Sequence, residues 1–466
     1  MSSTHELKII NPATEDVAFT LPLLQENAVD GLVEQARNAY GAWRFVPVAE
    51  RIDLVRKAME QFRAKGETIA TDITRQMGKP LTQARRELTT MLDRAEHMAG
   101  IAEHTLADEF APAQKGFSKY IRHEPLGVVL DIAAWNYPLL IAVNVVVPAV
   151  LAGNAVIIKH SNRTPLCGAA FTDAFTAAGA PDGLVQHIVA NHAVTEKFIR
   201  HGGVNYVSFT GSTGGGREIN RNAADRFINV GLELGGKDPA YVCADAPFDF
   251  AVDNCVDGAF YNAGQSCCAI ERVYVDRAIY DDFVEAYAAR TREYRLGDPM
   301  DDATSIGPLA SKGAREFLED QVKDAVAKGG RLVVDPAEFD APGKGWYAAP
   351  AVVADAPQDC GLMQEESFGP VIGIRAVDSA DEALSLMNDS PYGLTASIWT
   401  QDPERARWMG ERVETGTFFM NRCDYVDPAL AWTGVKDTGR GCTLSPLGLL
   451  QLTQPKSMHL RTALPE

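Results

Sequence analysis

The sequence predicts an α/β protein built on parallel sheet, and three observations carry that prediction. A strand, helix, strand run occupies residues 127–159; a further strand leads through a glycine-rich turn into a helix; and a second alternation of helical and strand-like stretches follows Gly236. Parallel strands need long crossovers, and helices between them are the usual solution.

Taken in order, residues 51–104 come first. Ile52, Leu54, Val55, Ala58, Met59 and Phe62 recur at helical spacing with charges in the gaps, so the region reads as amphipathic helix. Residues 127–133 form a compact apolar run, residues 138–151 a proline-opened helix, Gly153-Asn154 a stop, and residues 155–159 the next strand. Residues 138–153 are the most apolar stretch. They fall short of the roughly 20 residues a bilayer span needs and contain Asn144 and Pro148, so a buried core helix is expected. A strand at 206–209 then enters the glycine-rich turn, followed by a helix at 217–226. Beyond Gly236, helices are expected at 280–294 and 313–327, with strands around Val352 and Val371.

A chain of 466 residues, 46% apolar, suffices for two or more domains. Its net charge of -18 repels phosphate backbones and anionic lipid, and no run of Lys and Arg reverses this locally. Neither nucleic acid nor membrane is expected as a partner. The opening MSSTHELKII lacks the basic and apolar regions of an export signal, which points to the cytoplasm. The eight cysteines show no CxxC and no zinc spacing, so neither structural disulfides nor a metal site is expected. Cys167, Cys243 and Cys255 read as small buried apolar residues.

Four segments carry chemistry. In 209–217, Phe-Thr-Gly-Ser-Thr-Gly-Gly-Gly-Arg, glycines permit close backbone approach at a helix N-terminus, as a phosphate site needs, although such turns also serve structure alone. In 262–269, Cys267 follows Gly and Gln where backbone N–H groups can face a substrate oxygen, making it a candidate nucleophile; two buried cysteines are the other reading. Glu233 lies among glycines and apolar residues, where burial would raise its pKa toward that of a general base; it could also be a surface residue at a strand end. Asn136, between a strand and a proline-started helix, offers an amide to an oxyanion or caps the turn.

Together these segments resemble the aldehyde dehydrogenase family, in order along nearly the whole chain. The motifs are Asn11-Pro-Ala-Thr14, Trp135-Asn136-Tyr137-Pro138, the 152–159 segment ending in Lys159, Thr210-Gly211-Ser212, Glu233-Leu-Gly-Gly-Lys237, Gly264-Gln-Ser-Cys267 and Glu365-Glu-Ser-Phe-Gly-Pro370. The resemblance implies a Rossmann-like cofactor domain (residues 1–106 and 126–235) and an α/β catalytic domain (236–450). It also implies a small β oligomerisation element (107–125 and 451–466) serving a homodimer or homotetramer. It implies NAD or NADP as cofactor, held by Ile132, Trp135, Lys159, Asn162, Gly211, Ser212, Leu234, Glu366 and Phe368. The implied reaction runs through a thiohemiacetal and a thioester on Cys267, with Asn136 and the Cys267 N–H holding the oxyanion and Glu233 activating water.

Four departures stand out. Ala134 replaces the usual proline. Asn162 replaces a carboxylate common in NAD-preferring members, removing an acceptor for the 2′-hydroxyl and a repulsion against a 2′-phosphate. Ala190-Asn191 stands where a glycine is usual, and Cys442-Thr443 where many members carry Arg-Glu, so a proton-relay carboxylate is missing.

The small-molecule aldehyde would lie against Tyr137, Leu140, Ile141, Asn144, Tyr261, Ser266, Val426 and Trp432. None is cationic, and Arg422 is the one arginine expected nearby, so uncharged, apolar or aromatic aldehydes are expected. Two other readings are a CoA-acylating or reductive semialdehyde dehydrogenase and a non-catalytic protein keeping the fold.

Overall fold

The computed structural model describes residues 6–464. Residues 1–5 of the opening segment and the last two of the 451–466 segment lie outside the described residues.

A six-stranded sheet has the order Gly439–Arg440, Asn229–Glu233, Tyr206–Thr210, Val128–Ala133, Ala155–His160, Val185–His187. Its strands are parallel apart from Gly439–Arg440, which pairs antiparallel with Glu233 and Leu232. Val128–Ala133 and Ala155–His160 are buried along their whole length, the pattern of strands covered on both faces. The helix Pro138–Ala152 between them is buried at every residue, opens on Pro138 and stops at Gly153 in the left-handed conformation (φ 99°). No described helix is long and apolar enough to cross a membrane.

A seven-stranded sheet follows, in the order Arg331–Val334, Ala351–Ala354, Val371–Val377, Ile270–Asp276, Asp238–Val242, Thr395–Trp399, Thr417–Met420. Only Arg331–Val334 runs antiparallel to its neighbour. Each large sheet has its own apolar core. The chain does not divide cleanly between them. Trp432, Leu444 and Leu449, expected with the later residues, pack into the first core, and Gly439–Arg440 closes its sheet edge.

The third sheet pairs Thr453–Arg461 with Phe117–Pro125 over nine residues, with Glu109–Phe110 on the other side. The 51–104 region forms helices Val48–Ala64, Gly66–Met77 and Leu81–Thr105. One expectation shifts. The helix expected from Arg217 begins at Thr213, winding Gly214, Gly215 and Gly216 into its first turn under the Ser212 cap, whose hydroxyl accepts from Gly215 N at 3.2 Å.

Candidate active site

The carboxyl ends of the parallel strands place the first group of functional side chains. Asn136 follows Val128–Ala133, and Glu233 ends Asn229–Glu233. Cys267 sits in the loop between the tight turn Tyr261–Gly264 and strand Ile270–Asp276. That turn carries positive φ at Asn262 (53°), Ala263 (55°) and Gly264 (69°). At Gly264 a Cβ would stand 2.3 Å from the Gly369 carbonyl oxygen, so only glycine fits. Side chains lock the turn further. Asn262 Nδ2 donates to the carbonyls of Asn136 (3.2 Å) and Gln265 (3.1 Å), and Gln265 Oε1 accepts from Ala310 N at 2.9 Å. One N–H of the Asn136 amide donates to Gln265 O at 3.2 Å, which fixes its plane beside the nucleophile loop and leaves the other N–H for a substrate oxygen.

These residues share one cavity of 610 Å³. Cys267, Glu233 and Asn136 line it, as do all eight residues expected to meet the aldehyde. Burial raises the Glu233 carboxyl above the usual range, partly opposed by hydrogen bonds from Thr443 and Thr210 and by the charge of Arg94. Thr443 Oγ1 donates to Glu233 Oε1 at 2.6 Å, so the residue standing where a relay carboxylate was expected touches the candidate base directly.

The cavity is not free of cations. Helix Leu81–Thr105 presents Gln83, Glu87, Thr90 and Arg94 to it at three- and four-residue spacing, and Arg86 lines it too. Glu87 is internally satisfied: it is ion-paired with Lys79 and accepts from Leu139 N (2.8 Å) and Leu140 N (3.3 Å) at the start of the buried helix. Arg94, 6% exposed, reaches Asn144 Oδ1 (3.2 Å) and Val426 O (3.5 Å). The expectation that Arg422 is the one nearby arginine therefore fails. Arg422 itself stacks on Tyr425 at 3.4 Å. Sequence reasoning also missed Asp424, which accepts from Cys268 Sγ at 3.0 Å and lies 3.4 Å from Ser266 Oγ. Burial raises its carboxyl to about 6.

Of the residues implied for the cofactor, Leu234 lines this cavity, and several of the others touch one another. Ile132 and Lys159 are register partners on adjacent strands. At Gly211 and Gly215 a Cβ would meet the Phe209 ring at 2.6 and 2.8 Å, and Leu234 fills the corresponding space at Gly216. The N-terminus of helix Thr213–Ala223, capped by Ser212, follows the end of strand Tyr206–Thr210, a place suited to a pyrophosphate. Trp135 and Phe368 meet edge-on with ring centroids 5.6 Å apart. Glu366 accepts from Gly236 N at 3.1 Å, and burial lifts its carboxyl to about 7. Glu271 holds the Phe368 turn, accepting from Ser367 N (2.8 Å), Phe368 N (2.9 Å) and Lys237 Nζ (2.7 Å). Two of the residues implied for the cofactor have polar groups left open among the described residues. Asn162 Oδ1 is buried without a partner, and Lys159, lowered to about 8 by burial, has no ion pair. An amide acceptor and a lone cation fit a ribose hydroxyl and its phosphate.

The description of the aldehyde dehydrogenase family matches residues 1–458. The NADP-dependent succinate-semialdehyde dehydrogenase 1 of Mycobacterium tuberculosis is 34% identical over 453 residues, covering 97% of this chain and 99% of that one. The corresponding Deinococcus radiodurans protein is 34% identical over 447 residues, covering 96% and 93%. Among solved structures, an NAD-dependent aldehyde dehydrogenase from Sinorhizobium meliloti superposes with a TM-score of 0.95 at 31% identity, covering 100% of this chain and 93% of the other. Betaine aldehyde dehydrogenase from Staphylococcus aureus, in complex with NAD+, gives 0.94 at 29% identity, covering 100% and 93%.

Proposed function

The chain belongs to the aldehyde dehydrogenase family and oxidises an aldehyde to a carboxylic acid with NAD(P), and on that premise we propose roles for its cavity residues. Cys267 is the nucleophile, Glu233 the general base and Asn136 the oxyanion donor. The observation that carries this reading is their convergence on one cavity.

The Cys267 thiolate adds to the aldehyde carbon, forming a C–S bond and an oxyanion held by the Asn136 amide and the Cys267 N–H. Trp135, Phe368 and Glu366 would hold the nicotinamide, which when bound would accept the hydride. With the hydride gone the carbonyl re-forms and a thioester stands on Cys267. Glu233 then takes a proton from water as its oxygen attacks, the C–S bond breaks, and the acid leaves with the thiolate restored. Thr443 holds Glu233 Oε1 throughout, so the proton leaves from the other oxygen or through the hydroxyl. The domain division follows the two large sheets, with residues 432–450 shared between them. The exposed apolar Phe110, Ile121 and Leu460 on the three-stranded sheet support a homo-oligomer through that element. Eight free cysteines support a reducing, cytoplasmic setting.

The substrate is a small aldehyde suited to a cavity with both charged and apolar walls, rather than the uncharged, apolar or aromatic aldehyde expected at first. The relatives above are named for succinate semialdehyde and betaine aldehyde, both small and polar.

Two experiments bear on these assignments. Because Asn162 brings no negative charge toward a 2′-phosphate, the enzyme accepts NADP measurably beside NAD, and Asn162→Glu shifts preference toward NAD. Steady-state kinetics in which wild type rejects NADP as strongly as the variant contradicts this. Dilute peroxide inactivates through Cys267, reversibly by thiol at early times. Of the other thiols, Cys268 donates a hydrogen bond to Asp424, Cys442 is raised to about 11, and Cys423 is raised further. Peptide mass spectrometry finding one of those oxidised first, with Cys267 intact in dead enzyme, overturns the assignment.

A further inference from the structure

Arg94 is a buried cation with little to do. Its guanidinium has five donors, yet among the described residues it meets only the neutral Asn144 Oδ1 at 3.2 Å and the Val426 carbonyl at 3.5 Å, and Nε has no partner. No carboxylate lies within ion-pair distance of it among those residues, although the side chain is 6% exposed. An arginine keeps its charge even when burial opposes it, and an uncompensated buried charge is costly. The nearby acids act on it only at a distance and none pairs with it. Glu87 is taken by Lys79 and two backbone amides. Glu233 accepts from Thr443 and forms no ion pair with the guanidinium. Asp424 is committed to Cys268 and Ser266. What remains is an unpaired guanidinium on the wall of the cavity that holds the nucleophile.

We propose that Arg94 anchors a carboxylate carried by the substrate, so that the preferred aldehydes are short semialdehydes whose acid group pairs with this guanidinium while the carbonyl lies at Cys267. This rests on the aldehyde-oxidising reading of the same cavity. Asn144 makes the arrangement possible: it is short enough to leave the guanidinium open to the cavity, and it orients one of its N–H groups. The substrate's carboxylate supplies the counter-charge the fold omits, and a bidentate pair fixes the chain's direction. Arg86, exposed on the same helix face, adds an attractive field on the way in.

The test compares kcat/KM for two aldehydes of equal chain length, one ending in a carboxylate and the other in a methyl group. Wild type favours the carboxylate. Arg94→Met lowers the ratio on the order of 10²-fold, chiefly through KM of the acid substrate, as expected when a buried charge pair loses one member. Arg94→Lys keeps part of the ratio. If Arg94→Met lowers both substrates equally, or leaves the ratio unchanged, Arg94 is not the anchor. A wild type that oxidises neither aldehyde, nor others in a wider panel, contradicts the underlying function instead.

Discussion

The Cys267→Ala enzyme shows no steady turnover and no initial burst of reduced cofactor. The two losses come together because the hydride leaves only from the tetrahedral carbon that Cys267 creates. Without the C–S bond the aldehyde has no electron pair to expel it. Cys267→Ser is nearly as inactive, since a hydroxyl in the same place is a far weaker nucleophile at neutral pH. Cys268 does not substitute: its thiol is buried, its pKa is raised well above the usual value, and it is hydrogen-bonded to Asp424 at 3.0 Å. Stopped-flow absorbance of the reduced cofactor checks the claim, and a burst of normal amplitude in the alanine variant contradicts it.

Glu233→Gln fails at the other half of the reaction. Steady turnover falls roughly 10² to 10⁴-fold, the range of a lost general base, while the burst survives because thioester formation does not need the carboxylate. Glutamine keeps the shape and can still accept from Thr443 Oγ1, so the variant isolates the missing base from any change of packing. The pH dependence follows in sign. Burial raises the Glu233 carboxyl above its usual 4.5. Water activation needs the ionised form, so wild-type turnover declines as pH falls through a pKa above that value. That limb is absent in the glutamine variant. Hydroxylamine, which needs little base assistance, releases the stalled acyl group.

How much of this was legible without coordinates differs from element to element. The Val128–Ala133, Pro138–Ala152, Ala155–His160 unit was readable because all three elements are buried and written as largely apolar runs, broken by Asp131, Asn144, Lys159 and His160 and bounded by Gly127, Pro138 and Gly153. The helix start at Thr213 was not. Three glycines argue against helix by propensity, and only the Ser212 cap and the Phe209 and Leu234 side chains closing on Gly211, Gly215 and Gly216 make it favourable. Cys267, Glu233 and Asn136 stand in compact local motifs, so their candidacy could be read, but their convergence depends on contacts between distant residues. Arg94 was invisible for a related reason. A charge on an amphipathic helix reads as solvent-facing, and nothing local tells that Asn144 and Val426 draw it inward. The only hint was its four-residue spacing from Thr90 and, through that, from Glu87 and Gln83. The bond from Thr443 to Glu233 and the return of Gly439–Arg440 to the first sheet likewise join residues far apart in the chain.

The division of labour between Cys267 and Glu233 is tested most directly by intact-protein mass spectrometry of the Glu233→Gln enzyme after brief exposure to aldehyde and cofactor. An adduct of the mass of the acyl group, mapped to Cys267 and lost on hydroxylamine treatment, is the expected result. Unmodified Cys267 together with an absent burst would place Glu233 before thioester formation, in activating the thiol, and contradict the roles assigned here.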